Sequence, residues 1–399
     1  RIINLIGKRY SDFIGYKPFS FLSSDFSSLF KEKTPKKLSS LIDSCQQECH
    51  FFYLDLLYRQ LLKRLFDYDF IGDEKKISRL FPDLDLQTQV CDLLSLSESS
   101  SSYKLFFDKR IRFFAFKNYS KSISTDSAVK REIDIMNGSH SKFIVHTDDK
   151  LENKRIAIPY YPLGTLESFI LQNGNEKSGF NVELTLVDKV VMILEIATAL
   201  KDLHGNKEYH GNLSSQSIYI SSSKDAYIGS FYYDRSKEVE DTRPKGPFYY
   251  RPPEIFQLDE ENKTNGTDVK LEIKDQQVAD VYSFGVMMHE IITETNPETR
   301  MGDKPRDVRL DIVTGDYCGF LFSGENNEFF NNQGEIAVEM RSIIEKCMKC
   351  DASKRYSSFG KIIDSIHVLP IYRENKTEIE TRISHAPDSR EYECHFSDL

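Results

Sequence analysis

The chain has 399 residues, of which 39% are apolar and 29% charged, and it contains no Trp. This length suits about two or three domains, or one large fold with an appendage, and the composition excludes disorder throughout. The longest apolar stretch, Val190 to Leu200, is interrupted by Glu195 and is too short to span a bilayer. We therefore expect no membrane span and a cytoplasmic location. A net charge of −9 argues against a general nucleic-acid binder, which needs a basic surface.

The seven cysteines are spread along the chain without metal-like pairs. Cys347 and Cys350 form a lone CxxC inside a helical pattern, and no second pair accompanies it. A zinc site needs more ligands than this pair supplies, so free thiols in a reducing compartment are the expectation. We predict no metal ligands in this chain.

Residues 1–90 predict a helical N-terminal extension. Between Pro35 and Phe70, apolar residues recur at three- and four-residue spacing with charges between them. The stripe contains Leu38, Leu41, Ile42, Cys45, Phe52, Leu56, Leu57, Leu61, Leu65 and Phe66. A stripe this wide is expected to pack on the rest of the chain or on a protein partner, and a free coiled coil is the alternative.

Residues 91–371 predict an α+β domain in which a strand-rich lobe, about 91–160, precedes a helix-rich lobe, about 161–371. Expected strands are Tyr103–Phe107, Ile111–Phe116, Arg155–Tyr161, Ile218–Ile220 and Ala226–Ile228. Expected helices are Ser127–Met136, Thr185–Leu203, Ala279–Thr295 and Gly334–Cys350. The stretches Asp259–Asp275 and Asn296–Phe330 are interpreted as surface insertions. Residues 372–399 are interpreted as a polar, mobile tail.

The most specific motif is Leu203-His204 followed by His210-Gly211-Asn212-Leu213-Ser214-Ser215-Gln216-Ser217-Ile218, which resembles the catalytic loop of the protein kinases. Other kinase landmarks lie before and after this motif in the expected order. They are Phe114-Ala115-Phe116-Lys117, Glu132, the hinge-like Ile158 to Leu166, Arg251-Pro252-Pro253-Glu254, Asp280-Val281-Tyr282-Ser283-Phe284-Gly285 and Asp351 to Arg355. The resemblance spans about Leu94 to Ile371 and is closest to the tyrosine-kinase-like Ser/Thr kinases. It implies a bilobal kinase-like fold.

The same resemblance implies that the catalytic chemistry is degenerate. Asn212 stands where the family has its catalytic Asp, Ser214 where it has Lys, and Ser217 and Ser230 where it has the two metal ligands. A serine hydroxyl is a poor substitute for an anionic ligand of Mg²⁺. Gly211 replaces the Arg of the loop. Leu96 to Ser102 lacks the glycines of the phosphate-binding loop, and Tyr219 replaces the Leu of the adenine floor.

The structural positions of the family are kept. Lys117 and Glu132 are expected to form an ion pair, and with Ala115 and Tyr160 they are the candidate nucleotide-binding residues. His210, Phe231 and Met136 match apolar residues that stack between the lobes. Asp280 is expected to accept backbone hydrogen bonds from the catalytic loop. Glu254 and Arg355 are expected to form a buried ion pair.

The resulting prediction is a pseudokinase that acts as a protein-binding or scaffold module in signalling. The alternative is a Ser/Thr kinase with an atypical site, in which Glu98, Asp225 or Asp234 substitutes for the lost carboxylates. Nucleotide binding without catalysis remains open, so ATP is a possible ligand whereas Mg²⁺ is not expected. A small-molecule phosphotransferase is disfavoured because Asp280 and the Glu254–Arg355 pair suit the large lobe of a protein kinase.

Overall fold

The computed structural model describes residues 101–107, 113–119, 126–147, 155–161, 163–173, 182–231, 246–267, 269, 271–297, 308–323, 328–331 and 334–392. The predicted N-terminal helices between Pro35 and Phe70 lie outside these residues. So do Glu98, Asp234 and most of the Leu96–Ser102 loop.

The first part of the described chain contains an antiparallel sheet. Its strands are β1 (Ser101–Phe107), β2 (Phe113–Tyr119) and β3 (Arg155–Pro159), in the order β1-β2-β3. In this register Ala115 lies opposite Leu105 and Ile158, and Lys117 lies opposite Tyr103 and Ile156. Ile156 and Ile158 are both buried. Since alternate residues of a strand point to one face, these two isoleucines mark the core side of β3.

Helix α1 (Asp126–Gly138) lies between β2 and β3 in the chain. Glu132, Ile135 and Met136 are buried, and their three- and four-residue spacing places them on one face of the helix. The segment that follows α1 pairs with the second part of the chain, since Val145 donates to the carbonyl of Ile228 (2.8 Å) and Ile228 donates to that of Phe143 (2.8 Å).

The second part is mainly helical. Its elements are α2 (Leu166–Asn173), α3 (Leu186–Gly205), the hairpin β4 (Ile218–Ile220) and β5 (Ala226–Ile228), α4 (Pro253–Asn265), α5 (Ile273–Thr293), α6 (Val308–Thr314), α7 (Asp316–Leu321), α8 (Glu328–Asn331), α9 (Glu335–Cys347), α10 (Phe359–His367), α11 (Pro370–Glu374) and α12 (Lys376–His385). Of these elements the sequence pattern predicted strands β4 and β5 and helices α3, α5 and α9, whereas it did not predict the other helices. A short sheet followed by a large helical part fits the bilobal arrangement that the kinase resemblance implies.

Helix α3 begins where the sequence provides a capping box. Thr185 Oγ1 accepts from the backbone N–H of Asp188, and the Asp188 carboxylate accepts from the backbone N–H of Thr185. Over Val190 to Leu200 the helix is almost wholly buried and is apolar except for Glu195 and Thr198, and the buried Glu195 carboxylate accepts from the backbone N–H of Ala226 (2.8 Å). Burial alone would raise the pKa of Asp188, but hydrogen bonds from Thr185, Arg382 and Lys224 outweigh it and lower the pKa to about 2.

Two stretches expected to be surface insertions are more ordered than predicted. Within Asp259–Asp275, helix α4 continues to Asn265 and α5 begins at Ile273. Within Asn296–Phe330, α6 and α7 lie one after the other, and Ile312 and Leu321 are fully buried. Helices α6 and α7 have only seven and six residues, which is too few turns to give a clear periodicity, and the sequence pattern therefore did not reveal them.

The expectation of a mobile tail after Tyr372 is wrong as far as Tyr392. Residues 376–392, called the C-terminal strap below, consist of α12 and a short segment that follows it. Helix α12 packs on α3. In the strap Ile379 is fully buried, and Ala386 and Ser389 are also buried.

Candidate functional site

The loop from His210 to Ser217 is held by one buried carboxylate on α5. Asp280 Oδ2 accepts from the backbone N–H of His210 (2.7 Å), and its Oδ1 accepts from that of Gly211 (2.9 Å). His204 Nε2, at the end of α3, lies 2.9 Å from Asp280 Oδ2. Asp280 is 2% exposed, so these partners replace water around the charge. The carboxylate therefore fixes the start of the loop relative to two long helices.

The ring of His210 packs inward from this loop. It is fully buried, its Nε2 lies 3.1 Å from the carbonyl of Gly229, and its centroid lies 4.7 Å from that of Phe231. Phe231 and Met136 are buried as well. Glu132, one turn before Met136 on α1, is 1% exposed, so its carboxylate needs a polar partner inside the protein. Its expected ion pair with Lys117 stays a prediction, because the Lys117 side chain lies outside the described part of the chain.

Helix α1 is tied to the same loop by Arg131. Its guanidinium donates to the carbonyl of Tyr209 and to the Glu208 carboxylate (3.2 Å), and it lies 4.1 Å from the centre of the Tyr209 ring. Stacking of Arg on an aromatic face adds a cation–π attraction to the hydrogen bonds. These contacts place α1 against the residues that precede His210.

Gly211 occupies a backbone conformation that favours glycine. Its φ is +72°, and a Cβ added there would lie 2.9 Å from Cε2 of Tyr209. Gly211→Ala is therefore expected to destabilise the protein by about 1–3 kcal/mol, through backbone strain and the clash. Urea unfolding measures this change. Gly138→Ala is the matched control, because a Cβ at Gly138 meets nothing within 4 Å and its φ is not in the left-handed region. Equal effects at the two glycines would contradict the strain argument.

The hydroxyl of Ser217 is already engaged by its own turn. It donates to the carbonyl of Ser214 (2.7 Å) and accepts from the backbone N–H of Ser214 (3.1 Å). Ser217 is 1% exposed. Both bonds close a short 3₁₀ turn, Ser215–Ser217, so the hydroxyl serves the backbone.

Ser230 is held from two sides in a strained conformation. Its φ is +56°, which is costly for a residue with a Cβ. The Ser230 hydroxyl lies 2.8 Å from the phenol oxygen of Tyr219, and its carbonyl accepts from Asn212 Nδ2 (2.8 Å). The N–H of Gly229 also donates to the carbonyl of Ser217 (2.9 Å). We call the linked group of four residues the candidate cleft: Asn212, Ser217, Tyr219 and Ser230.

Two of these contacts were missed by the sequence analysis. The sequence marked Asn212 only as a replacement of the catalytic Asp, yet its amide donates to the Ser230 carbonyl. The Tyr219–Ser230 bond joins two positions that the sequence marked only as separate departures from the kinase pattern. A polar ring at Tyr219 beside a hydroxyl at Ser230 was the available signal, because buried phenols usually find a hydrogen-bond partner.

The hinge-like segment borders the candidate cleft. Ile158 at the end of β3 and Tyr160 after it are buried, and Tyr161 is 3% exposed. Thr165 forms an antiparallel bridge with Tyr219, and the rings of Tyr161 and Tyr219 lie 5.4 Å apart. Tyr219 therefore contacts the hinge side of the cleft with its ring and the opposite side with its hydroxyl.

Glu254 and Arg355 form a bidentate ion pair away from the candidate cleft. The Arg355 guanidinium donates to Glu254 Oε1 (2.6 Å) and Oε2 (2.7 Å). It also donates to the carbonyls of Lys349 (2.7 Å), Val278 (3.2 Å) and Cys350 (3.3 Å). The Arg355 side chain is 0% exposed and that of Glu254 22%. The pair joins α4 to the turn that precedes α10.

The sequence analysis also missed a buried polar network behind the loop. The hydroxyl of Ser215 lies 2.9 Å from that of Tyr250, which donates to the Glu290 carboxylate, and Asn296 donates to the other Glu290 oxygen (3.0 Å). Burial raises the pKa of Glu290 to about 8, although the bonds from Tyr250, Ser215 and Asn296 act to lower it. Tyr250, Glu290 and Asn296 belong to no motif that the sequence analysis used, and only their placement in space reveals the network.

Comparison with known proteins bears directly on this arrangement. Residues 112–366 match the family model for the protein tyrosine and serine/threonine kinase domain, which is more than half of the chain. The chain belongs to the protein kinase family. The matched residues contain the candidate cleft, Asp280 and the Glu254–Arg355 pair, and the match ends before the C-terminal strap.

Individual relatives within the protein kinase family are distant. A probable inactive receptor kinase of Arabidopsis thaliana is 24% identical over 70% of this chain and 41% of its own length. A second one from that plant is 25% identical over 57% of this chain and 33% of its own. A probable LIM domain-containing serine/threonine-protein kinase of Dictyostelium discoideum is 24% identical over 60% and 35%. The chain thus spans less than half the length of these relatives.

Proposed function

We propose that this kinase-family domain is a pseudokinase, which acts by binding proteins in signalling and does not transfer phosphate. The observation that carries the proposal is the use of the Ser217 and Ser230 hydroxyls within the chain itself. By the resemblance these are the positions of the two metal ligands. Ser217 binds its own turn and Ser230 binds Tyr219. Both side chains are neutral, whereas Mg²⁺ prefers anionic oxygen ligands.

The position of the catalytic base supports the same proposal. Asn212 carries an amide, which has no basicity for the proton of a substrate hydroxyl, and a general base contributes about 10²–10⁴ in rate. Its Nδ2 is also occupied, because it donates to the Ser230 carbonyl. Asn212 therefore stabilises the conformation of the cleft where an aspartate would accept a proton.

The Tyr219 ring supports the proposal that the candidate cleft has low affinity for nucleotide. It lies at the position of the adenine floor and extends its hydroxyl to Ser230. Lys117, Glu132, Ala115 and Tyr160 remain the candidate residues for nucleotide binding without Mg²⁺. By the resemblance a purine would pack against this larger ring, which is already hydrogen-bonded to Ser230, and the smaller space is expected to reduce affinity.

The relatives support the absence of phosphate transfer, whereas the protein-binding role rests on the domain type and on the charge of the chain. Two of those relatives are themselves named as probable inactive receptor kinases. No helix among the described residues is long and apolar enough to cross a membrane. A net charge of −9 favours protein partners over nucleic acid. A cytoplasmic location and a partner at the N-terminal extension stay predictions.

We expect Mg·ATP to leave the melting temperature of the protein unchanged. A ligand that binds the native state stabilises it by mass action, by about 2.7 kcal/mol at a hundred times Kd. Thermal melts with millimolar ATP, alone and with Mg²⁺ or Mn²⁺, measure this. An active kinase run in parallel is the positive control. A shift that requires the metal would contradict the pseudokinase proposal.

The alternative, an atypical Ser/Thr kinase, needs a substitute carboxylate near the cleft. Asp225 was one candidate, but it is 5% exposed and its Oδ2 accepts from the Ser221 hydroxyl (2.9 Å). Burial also raises the pKa of Asp225, although the bond from Ser221 opposes this. It is thus poorly placed to hold a metal. Phosphate transfer that Lys117→Ala abolishes would establish the alternative.

A further inference from the structure

The C-terminal strap is anchored first on helix α3. Arg382 on α12 donates to Asp188 Oδ1 (2.7 Å), and Asp188 is the residue that caps the start of α3. Ile379, which also lies on α12, is fully buried. Helix α12 is therefore fixed both by apolar packing and by a partly buried ion pair, whose side chains are 25% and 8% exposed.

The end of α12 is capped by a residue from the loop after α1. Lys142 Nζ donates to the carbonyls of Ile383, Ser384 (3.1 Å) and Ala386 (3.0 Å). A cation at this end of a helix satisfies carbonyls that lack a helical partner. The backbone also closes the contact in the other direction, because the N–H of Ser389 donates to the carbonyl of Lys142 (2.9 Å). The strap thus reaches back across the molecule to the part that carries α1.

The last residues of the strap lie against the hinge-like segment. The Ser389 hydroxyl accepts from the backbone N–H of His146 (2.9 Å) and lies 3.2 Å from the phenol oxygen of Tyr161. Tyr227 donates to the carbonyl of Pro387 (2.9 Å). The Tyr392 ring stacks on Tyr161 with centroids 5.0 Å apart and planes 5° apart. Tyr161 is therefore held by the strap through both its ring and its hydroxyl.

Tyr161 also contacts Tyr219, whose side chain extends from the hinge-like segment to Ser230. The Tyr161 ring lies 4.9 Å from that of Tyr227 and 5.4 Å from that of Tyr219, and the Tyr219 hydroxyl lies 2.8 Å from that of Ser230. A continuous chain of packed side chains thus runs from Tyr392 through Tyr161 and Tyr219 to Ser230. Packed side chains of this kind transmit displacement because they have discrete arrangements and little free volume.

We propose that the C-terminal strap is a latch that keeps the candidate cleft closed, and that its release is a conformational switch of this domain. While the strap is docked, Tyr392 and Ser389 hold Tyr161 against Tyr219, and Tyr219 stays bonded to Ser230. When the strap leaves, Tyr161 keeps its contact with Tyr227 but loses the stacked Tyr392 ring and the Ser389 hydroxyl, and Tyr219 becomes free to turn away from Ser230. The proposal concerns how the cleft opens, so it does not depend on whether the cleft binds nucleotide.

Hydrogen exchange on the full chain tests the latch. Tyr392→Ala is expected to speed exchange of the strap, of residues 155–161 and of residues 217–231 by about tenfold or more, because local opening becomes easier. Peptides from α9 are expected to stay unchanged, which separates release of the latch from general loss of stability. Tyr392→Phe keeps the stacked ring and should exchange like the unaltered protein.

Glu391→Ala, at an exposed neighbouring position, is the matched control and should also leave exchange unchanged. Ser389→Ala supplies an independent variant that removes the contacts to His146 and Tyr161 without touching the ring stack. The proposal is overturned if the strap exchanges faster in these variants while residues 217–231 do not. It is equally overturned if α9 speeds up as much as the cleft, since the strap would then be a general brace.

Discussion

Glu254→Ala is expected to lower the free energy of unfolding by about 3–5 kcal/mol, because it leaves a buried guanidinium without its counter-charge. The Arg355 side chain is 0% exposed, so its charge is compensated by Glu254 and not by bulk water. The three carbonyls that also accept from it do not neutralise its charge. Urea unfolding at neutral pH measures the change.

A matched control for Glu254→Ala lies on the same helix. Glu260, in the middle of α4, pairs with Arg309 at 2.6 Å, but those side chains are 56% and 45% exposed. Exposed ion pairs contribute about 0–1 kcal/mol, so Glu260→Ala should change stability little. The double variant Glu254→Leu with Arg355→Met should recover part of the loss by removing both charges. Similar losses at Glu254 and Glu260 would show that burial does not decide the effect.

Asp280→Asn is the second change with a large expected effect, and it should lower the free energy of unfolding by about 3–5 kcal/mol. The carboxylate accepts from two backbone N–H groups and faces His204 Nε2, and a hydrogen bond to a charged group contributes about 1.5–3 kcal/mol. An amide keeps one acceptor and turns its NH₂ toward a donor. The start of the His210–Ser217 loop would lose its anchor, and the His210 ring would lose its fixed position beside Phe231.

Asp275→Asn provides the control for Asp280, because Asp275 lies exposed in the first turn of the same helix. Asp275→Asn should lower the free energy of unfolding by less than about 1 kcal/mol, which is the usual contribution of a surface charge near a helix N-terminus. Asn212→Ala should fall between the two, since it removes one neutral hydrogen bond to Ser230, worth about 1 kcal/mol. A loss at Asp275 equal to that at Asp280 would refute the anchoring role.

The parts of the fold that could be predicted from the sequence are those whose signals are local. The apolar run from Val190 to Leu200 indicates a buried helix, and Thr185 with Asp188 marks its start. The order of the kinase landmarks then places Asp280, Glu254 and Arg355 in one domain although they are far apart in the chain. Such motifs combine fixed residue types with fixed order, which is why they indicate position so well.

What the sequence could not reveal are contacts between residues that no motif links. Tyr219 and Ser230 each depart from the kinase pattern, and only their distance of 2.8 Å shows that the departures belong together. The strap has a polar composition typical of a mobile tail, yet its few apolar and aromatic residues all have partners in the folded domain. Lys142 and Ala386 are separated by 244 positions, a distance over which local patterns carry no information.

The long separation between the strap and its docking surface also bears on how the protein is made. His146 leaves the ribosome 243 residues before Ser389. At about 5–20 residues per second, translation of that interval takes about 10–50 seconds. Throughout that time the nascent chain lacks the residues that stack on Tyr161 and cap the carbonyls beside Lys142. The strap can therefore cover the aromatic surface around Tyr161 and Tyr227 only after the residues up to Tyr392 have emerged, so docking of the strap is a late step in the folding of this domain.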